Sequence, residues 1–95
     1  MKTIYKYNFE ITDSFSIRMP KGSKIIYVEE QNKKPAMWAI VDTSQKEESV
    51  YFELRGTGQP FNGFEGEYID TFYMFNGDLV FHLFYHKSLI RSQHI

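Results

Sequence analysis

The sequence predicts an all-β protein, a small antiparallel barrel or sandwich of about seven short strands with no long helix. Along most of the 95 residues, apolar and polar side chains alternate with the two-residue period of a half-buried strand. Turn-forming residues interrupt this alternation at intervals of about eight to twelve residues. No segment of about ten or more residues has the apolar spacing of an amphipathic helix, so helices are not expected to build the core.

The first half of the chain is expected to contain two strands and a hairpin. Over residues 5–11, apolar residues alternate with polar ones, which places the apolar side chains on one face. These side chains are Tyr5, Tyr7, Phe9 and Ile11. A turn is expected at Pro20-Lys21-Gly22-Ser23, and residues 31–35 are expected to be the turn of a hairpin whose second strand surrounds Trp38. The predicted strands cover residues 5–11, 15–19, 24–30 and 36–42.

The second half is expected to begin with a polar loop and to end with a hairpin. Residues 43–49 are polar and charged, and they are expected to form a loop before a strand over 50–55. Residues 56–66 contain four of the six glycines and are the longest segment without a strand pattern. Asn76-Gly77 supplies the two positive φ angles of a type I′ turn, which predicts a hairpin of residues 68–75 and 78–85.

A two-residue turn determines the register of this last hairpin. Thr71 then lies opposite His82, whereas Asp70 points to the other face. One face is expected to carry Tyr68, Asp70, Phe72, Met74, Leu79, Phe81, Leu83 and Tyr85. The other is expected to carry Ile69, Thr71, Tyr73, Phe75, Val80, His82 and Phe84. Both faces are largely apolar and should be shielded from water. So small a chain can cover both faces only with difficulty, which favours a homo-oligomer.

Length, charge and cysteine content restrict the class of protein. The length suits one β domain over residues 1–86, followed by a polar tail over 87–95. A net charge of −1 argues against general nucleic-acid binding, and the absence of cysteine excludes disulfides, thiol catalysis and thiolate metal sites. No apolar run approaches the roughly 20 residues that a membrane span requires, and no signal peptide is evident. A cytoplasmic protein without a membrane partner is therefore expected.

No arrangement of side chains predicts catalysis, a metal ion or a cofactor. His82 and His86 are four residues apart on a predicted strand. They are therefore roughly 13 Å apart, too far to share a metal ion. The Asp70 carboxylate cannot reach His82 in the expected register, and we expect the His82 ring to bond Thr71 or a backbone carbonyl instead. No strand-turn-helix elbow presents a serine nucleophile, so the protein is not expected to be an enzyme.

The glycine-rich segment after residue 55 is a candidate for anion binding. Gly56 and Gly58 would let backbone N–H groups approach a phosphate or a carboxylate. The Thr57 hydroxyl and the Arg55 guanidinium would add further donors. The segment lacks the lysine of a phosphate-binding P-loop. The alternative is a bulge and turn at Gly56 that binds no ligand.

Aromatic side chains are the other candidates for binding. Phe61 and Phe64 lie in the same glycine-rich segment, and exposed loop aromatics are typical anchors of protein interfaces. Trp38 suits either a stacking contact or a place in the core. The candidate binding residues are Trp38, Arg55, Gly56, Thr57, Gly58, Gln59, Phe61 and Phe64.

Several sequence pieces occur in an order that resembles a known family. They are Ile4-Tyr5-Lys6-Tyr7, Ile11-Thr12-Asp13, Met19-Pro20-Lys21-Gly22, Trp38-Ala39-Ile40-Val41-Asp42, Gly56-Thr57-Gly58 and Leu79-Val80-Phe81-His82. The series spans most of residues 3–85 and resembles a family of short proteins of unknown function that bacteriophages and prophages encode. Many members have Asn-Gly in place of Asn32-Lys33, which implies a two-residue turn with Tyr27 opposite Trp38. Many have His in place of Gln59, so no role that needs an imidazole carries over to this position.

The resemblance implies a small accessory protein made in the cytoplasm of an infected host cell. Small phage proteins without catalytic residues often act by occupying a host component, so we expect this protein to bind and block a host protein, such as one of a defence system. One alternative is sequestration of a small signalling nucleotide by the glycine-rich segment. Another alternative is a minor structural component of the virion.

Overall fold

In the part of the chain that the structure describes, seven β-strands provide the regular structure, as the alternation predicts. The structure, a computed structural model, describes residues 1–61 and 66–86. Phe64 and the predicted tail over 87–95 lie outside the described residues. The strands are β1 (Lys2–Asn8), β2 (Ser14–Pro20), β3 (Lys24–Gln31), β4 (Lys34–Asp42), β5 (Glu47–Gly56), β6 (Tyr68–Met74) and β7 (Leu79–Tyr85).

The strands form two antiparallel sheets that pack face to face as a sandwich. Sheet A has the strand order β1-β4-β3, and sheet B has the order β2-β5-β7-β6. β3 and β6 run close to each other where the two sheets meet, but no ladder joins them, so the sandwich does not close into a barrel. The prediction of a small antiparallel all-β protein is confirmed. Of the two predicted architectures, a barrel or a sandwich, the structure has the sandwich.

The β3–β4 hairpin has the short turn that the family resemblance implies. Asn32 and Lys33 have φ angles of 54° and 67°, which are the left-handed conformations that a type I′ turn requires. This turn places Tyr27 directly opposite Trp38. The two rings contact each other with their centroids 5.7 Å apart.

The β6–β7 hairpin has the register that Asn76-Gly77 predicts. Both residues have positive φ angles, and Thr71 lies opposite His82. Phe75 also has a positive φ angle of 56°, which is rare for a bulky side chain. Its N–H donates a hydrogen bond of 2.9 Å to the Glu30 carboxylate at the end of β3. This bond ties the turn of sheet B to sheet A.

The core lies between the sheets and receives side chains from both of them. Its buried members are Phe9, Met19, Ile25, Val28, Met37, Ala39, Val41, Phe52, Leu54, Phe72, Met74, Phe81 and Leu83. Phe9 stacks on Phe15 with a centroid distance of 4.9 Å and meets the Phe72 ring edge-on at 5.8 Å. Burial between the two sheets raises the pKa of the Tyr85 hydroxyl. Ring packing therefore holds one end of the sandwich together.

Several of the predicted strand boundaries are wrong, and three of them change the place of a whole loop or of a named residue. β5 begins at Glu47, so the loop before it is shorter than the expected 43–49. β4 includes Pro35, which was expected in a turn, and Pro35 is tolerated because it lies beyond the last residue of β1 that pairs with β4. β1 ends at Asn8, and Ile11 is consequently outside the strand and exposed.

A β-bulge in β6 reverses two of the expected side-chain directions. The register with β7 shifts between Tyr68 and Asp70, so Ile69 is the extra residue. Ile69 packs against the core, and Tyr68 lies on the outer face, where its hydroxyl bonds Thr71 at 2.8 Å. The sequence alternation predicted the opposite faces for Tyr68 and Ile69 because it assumed an unbroken pleat.

Candidate functional site

The glycine-rich segment begins with a tight turn at the end of β5. The Gln59 N–H donates to the Gly56 carbonyl at 3.0 Å, and Gly58 has a φ angle of 92° that suits glycine. The Gln59 side chain folds back, so its Oε1 accepts from the Gly56 N–H. The Thr57 N–H donates to the Val80 carbonyl at 3.0 Å. Several donors of the expected anion cradle are therefore bonded within the protein, which favours the bulge and turn over the cradle.

The Arg55 guanidinium is also engaged by the protein itself. Its Nη1 donates to the carbonyl oxygens of Asp13 and Leu54 at 2.9 and 2.8 Å. Its Nη2 donates to the Glu53 carboxylate at 2.9 Å. An anionic ligand at Arg55 would have to compete with this carboxylate. The position of the guanidinium indicates a role in joining β5 to the loop before β2.

Glu53 is a buried carboxylate that the sequence analysis missed. It lies on the outer face of sheet B with an exposed fraction of 6%. Arg55 bonds one carboxylate oxygen, and His86 Nε2 lies 3.2 Å from the other. The signal in the sequence is the spacing of Glu53 and Arg55, because side chains two apart on a strand share a face.

A chain of hydrogen bonds runs across the outer face of sheet B through His82. The His82 Nε2 lies 2.8 Å from the Thr57 hydroxyl, and its Nδ1 lies 2.9 Å from the Thr71 hydroxyl. The expected bond between His82 and Thr71 is therefore confirmed. The Asp70 carboxylate accepts from the Thr71 N–H at 2.8 Å and is not a partner of the His82 ring. Both ring nitrogens of His82 thus face threonine hydroxyls.

Phe61 lies against the outer face of the last hairpin. Its ring meets Phe84 edge-on at a centroid distance of 5.3 Å, and it keeps 53% of its surface exposed. Tyr68 contacts the same Phe84 ring at 5.7 Å. The chain itself thus covers part of the apolar face for which a second subunit was expected, while Tyr73 stays 64% exposed. The homo-oligomer remains a prediction, and Phe64 cannot be placed because it lies outside the described residues.

Trp38 lies on the outer face of sheet A, so of its two alternatives, a stacking contact or a place in the core, the place in the core is excluded. Its neighbours in β4, Met37 and Ala39, point inwards and are fully buried. Trp38 itself is half-buried between Lys6 of β1 and Tyr27 of β3. Alternation assigns a strand two faces but does not say which one meets the other sheet.

The outer face of sheet A carries a continuous group of exposed apolar side chains, here called the Trp38 face. Its members are Ile4, Ile26, Tyr27, Trp38 and Ile40. Ile4 and Ile40 are paired across β1 and β4 and are 54% and 38% exposed. Ile26 is the extra residue of a β-bulge in β3 and points outwards with 45% exposure.

Polar groups surround the Trp38 face and orient its rings. The Lys6 ammonium lies 6.0 Å from the Trp38 ring centroid and also donates to the Gln31 side chain. A hydrogen bond to the Glu29 carboxylate raises the pKa of the Tyr27 hydroxyl. Rings that are held by such contacts lose little conformational freedom when a partner binds.

The structure separates the sequence-predicted binding residues into two groups. Arg55, Thr57 and Phe61 lie at sheet B, whereas Trp38 lies on the outer face of sheet A, on the other side of the sandwich. One compact ligand cannot contact both groups. Within residues 1–61 and 66–86, no group of three or more His, Asp or Glu side chains could hold a metal ion. These residues also contain no helix that is long and apolar enough to cross a membrane.

The chain was compared with known proteins. The comparison with curated proteins and with solved structures found no match. The family described as a domain of unknown function, DUF7352, matches residues 1–93. The match covers nearly the whole chain, and this protein belongs to the DUF7352 family.

Proposed function

We propose that this protein is a non-catalytic accessory protein of a bacteriophage or prophage, and that it binds and blocks a host protein through the Trp38 face. The phage origin and the host cytoplasm as the place of action rest on the sequence resemblance. The observation that supports binding is the row of exposed apolar side chains across all three strands of sheet A.

A cluster of exposed apolar side chains on the outer face of a sandwich indicates a binding partner, whereas a single exposed apolar side chain does not. Outer faces of antiparallel sheets are usually polar because they face water. Here Ile4, Tyr27 and Ile40 are 54%, 48% and 38% exposed and lie on the same face as Trp38. Tryptophan and tyrosine provide much of the binding energy at protein interfaces, especially when they are held in place beforehand.

The polar side chains of sheet B support a non-catalytic protein. The hydroxyl groups of Thr57 and Thr71 occupy both ring nitrogens of His82. Arg55 and His86 bond the Glu53 carboxylate. These groups satisfy one another within the fold, which is the arrangement of a structural network.

The experiment that tests the proposal is capture of host proteins by the tagged wild-type protein and by two charge variants. Ile26→Glu and Ile40→Glu each place a carboxylate in the Trp38 face, and both sites are already exposed, so the fold should tolerate them. Tyr51→Glu is the matched control, because it changes an exposed residue of β5, on the other side of the sandwich and outside the last hairpin.

We expect the wild type and Tyr51→Glu to capture the same host protein and both Trp38-face variants to lose it. Circular dichroism and the melting temperature of each variant verify that it is folded. Equal capture by all four proteins, or no specific capture by the wild type, would refute the proposal.

A further inference from the structure

The outer edge of β1 has backbone groups that β4 does not use. The Met1 carbonyl accepts from the Thr43 N–H at 2.8 Å, and the Phe9 N–H donates to the Pro35 carbonyl at 3.2 Å. In an antiparallel pair the direction of the backbone groups alternates from residue to residue. The odd-numbered residues of β1 therefore face β4, and the N–H and C=O groups of the even-numbered residues point away from the sheet. Within β1 these residues are Lys2, Ile4, Lys6 and Asn8.

This edge is more regular than the edges formed by β3 and β6, and unlike the equally regular edge of β2 it has an apolar side chain beside its outward backbone groups. β1 pairs with β4 over its whole length, Lys2–Asn8, without a bulge. β3 and β6 both contain bulges and lie next to each other. β2 ends at Pro20, and the side chains beside its outward backbone groups, Ser14, Ser16 and Arg18, are polar. A long, regular and unpaired edge is a template for another strand.

The side chains of this edge indicate which strand it accepts. Ile4 points to the Trp38 face, and Lys2 and Lys6 flank it on the same face. Within residues 1–61 and 66–86, neither lysine forms an ion pair. Antiparallel pairing of β1 with a second copy, centred on Ile4, would place Lys2 opposite Lys6 of that copy. Like charges in directly opposite positions destabilise a sheet, so this pairing is disfavoured.

We infer that β1 receives an extended segment of the partner protein as a fourth, antiparallel strand of sheet A. The segment has Asp or Glu opposite Lys2 and Lys6, and a β-branched aliphatic residue opposite Ile4. Its aliphatic side chain continues the row that Ile4 and Ile40 begin. The inference rests on the proposed function and names the chemistry of its partner.

A synthetic peptide tests the inference without knowledge of the natural partner. The probe is a fluorescein-labelled Thr-Glu-Thr-Val-Thr-Glu-Thr peptide, and fluorescence anisotropy at low salt measures its dissociation constant. In the inferred register the valine N–H points to β1, whereas the N–H of the next threonine points away. We expect N-methylation of the valine to weaken binding by about tenfold or more, and N-methylation of that threonine to leave it unchanged.

Charge reversal tests the role of the two lysines. We expect the double variant Lys2→Glu/Lys6→Glu to lose the glutamate peptide and to bind the peptide Thr-Lys-Thr-Val-Thr-Lys-Thr instead. Ile4→Pro removes the outward N–H without removing a bond to β4, and Ile4→Ala controls for the lost side chain. Ile4→Pro should bind the glutamate peptide more weakly than Ile4→Ala does.

Three outcomes would each overturn strand addition. They are no binding of the glutamate peptide at about 1 mM, equal effects of the two N-methylated peptides, and no exchange of peptide preference on charge reversal. The N-methylated peptides need only the wild-type protein, so the test remains valid if Ile4→Pro does not fold. The capture experiment and the peptide experiments test different claims. If Ile26→Glu and Ile40→Glu lose the host protein but one of these three outcomes is observed, strand addition is refuted and the proposed function is retained.

Discussion

Glu53 and Arg55 form an ion pair of 2.9 Å on the outer face of sheet B, and the side chains of both are largely buried. The two residues lie on the same strand with one residue between them, so the pleat points both side chains to the same face. Arg55 also bonds two backbone carbonyls, one of them in the loop before β2. This pair makes Arg55 a counter-ion within the fold, whereas the sequence alone suggested a ligand contact.

Arg55→Met is expected to destabilise the protein by about 2–4 kcal/mol, because it leaves the Glu53 carboxylate buried without its guanidinium partner. The double variant Arg55→Met/Glu53→Leu should recover much of this loss, because it removes the unpaired charge as well. Urea unfolding monitored by tryptophan fluorescence measures both. A single variant as stable as the wild type would show that the ion pair contributes little.

Nucleotides are expected not to change the melting temperature of the wild-type protein. The Arg55 guanidinium and the N–H groups of Gly56 and Thr57 are already bonded within the chain, so a phosphate would have to displace these partners. A thermal-shift panel of linear and cyclic nucleotides measures this. If a nucleotide raises the melting temperature of the wild type and has no effect on Arg55→Met, the nucleotide alternative is correct and this expectation is wrong.

Acidification is expected to remove a contribution that Asp42 makes to stability. Hydrogen bonds from the Ser44 hydroxyl and N–H, and then from the N-terminal ammonium, lower the pKa of Asp42 to about 2. Because the pKa is lower in the folded state, the contribution is present above the ordinary pKa near 3.8 and is lost as the pH falls through about 2.

The variant Asp42→Asn isolates this contribution. Relative to the wild type, it should be less stable at pH 6, and the difference should shrink at pH 2.5, as measured by urea midpoints. Asp78→Asn, at an exposed position in the β6–β7 turn, is the control. A constant difference between wild type and Asp42→Asn across this range would contradict the expectation.

Lys33→Gly is expected to stabilise the protein by up to about 1 kcal/mol. Lys33 has a φ angle of 67°, a conformation that costs energy for a residue with a Cβ atom and that glycine adopts freely. Lys34→Gly, one residue later and within β4, is the control and should be destabilising. Thermal unfolding compares the two variants, and a lower melting temperature for Lys33→Gly would argue against strain at this turn.

The purified protein is expected to form a homo-oligomer through the outer face of the last hairpin, where Tyr73 and Leu79 are 64% and 46% exposed. Tyr73→Glu should then return it to a monomer, because a charge at the centre of an apolar contact is costly. Light scattering at high micromolar concentration measures the mass. A wild-type mass of 11.3 kDa, that of one chain, would refute this prediction.

Turns and alternating faces were predictable because they depend on residues that are close in the sequence. Asn76-Gly77 adopts its φ angles through local sterics, and this turn alone set Thr71 opposite His82. The bond between these two side chains then followed from the register. The bulge at Ile69 was not predictable, because a bulge depends on how two strands fit each other and on what covers them.

The candidate site was predictable only in part. The glycine-rich segment was recognised as a special turn, but its donors find partners in residues that are distant in sequence, such as Asp13 and Val80. Trp38 was recognised as a candidate contact, but its neighbours Ile4, Tyr27 and Ile40 come from three strands. A surface assembled from separate strands has no signature in any one of them.

The amino-acid sequence by itself determined that this chain forms strands, where its two tight hairpin turns lie, and which side chains of β4 and β7 share a face. These properties follow from backbone sterics and from a period of two, which act over a few residues. Only the tertiary structure decided that Trp38 faces outwards, that Glu53 is buried, and that no other strand of the described residues pairs with the outer edge of β1. Those properties depend on which sheet covers which face, and long-range packing of the whole chain selects that arrangement.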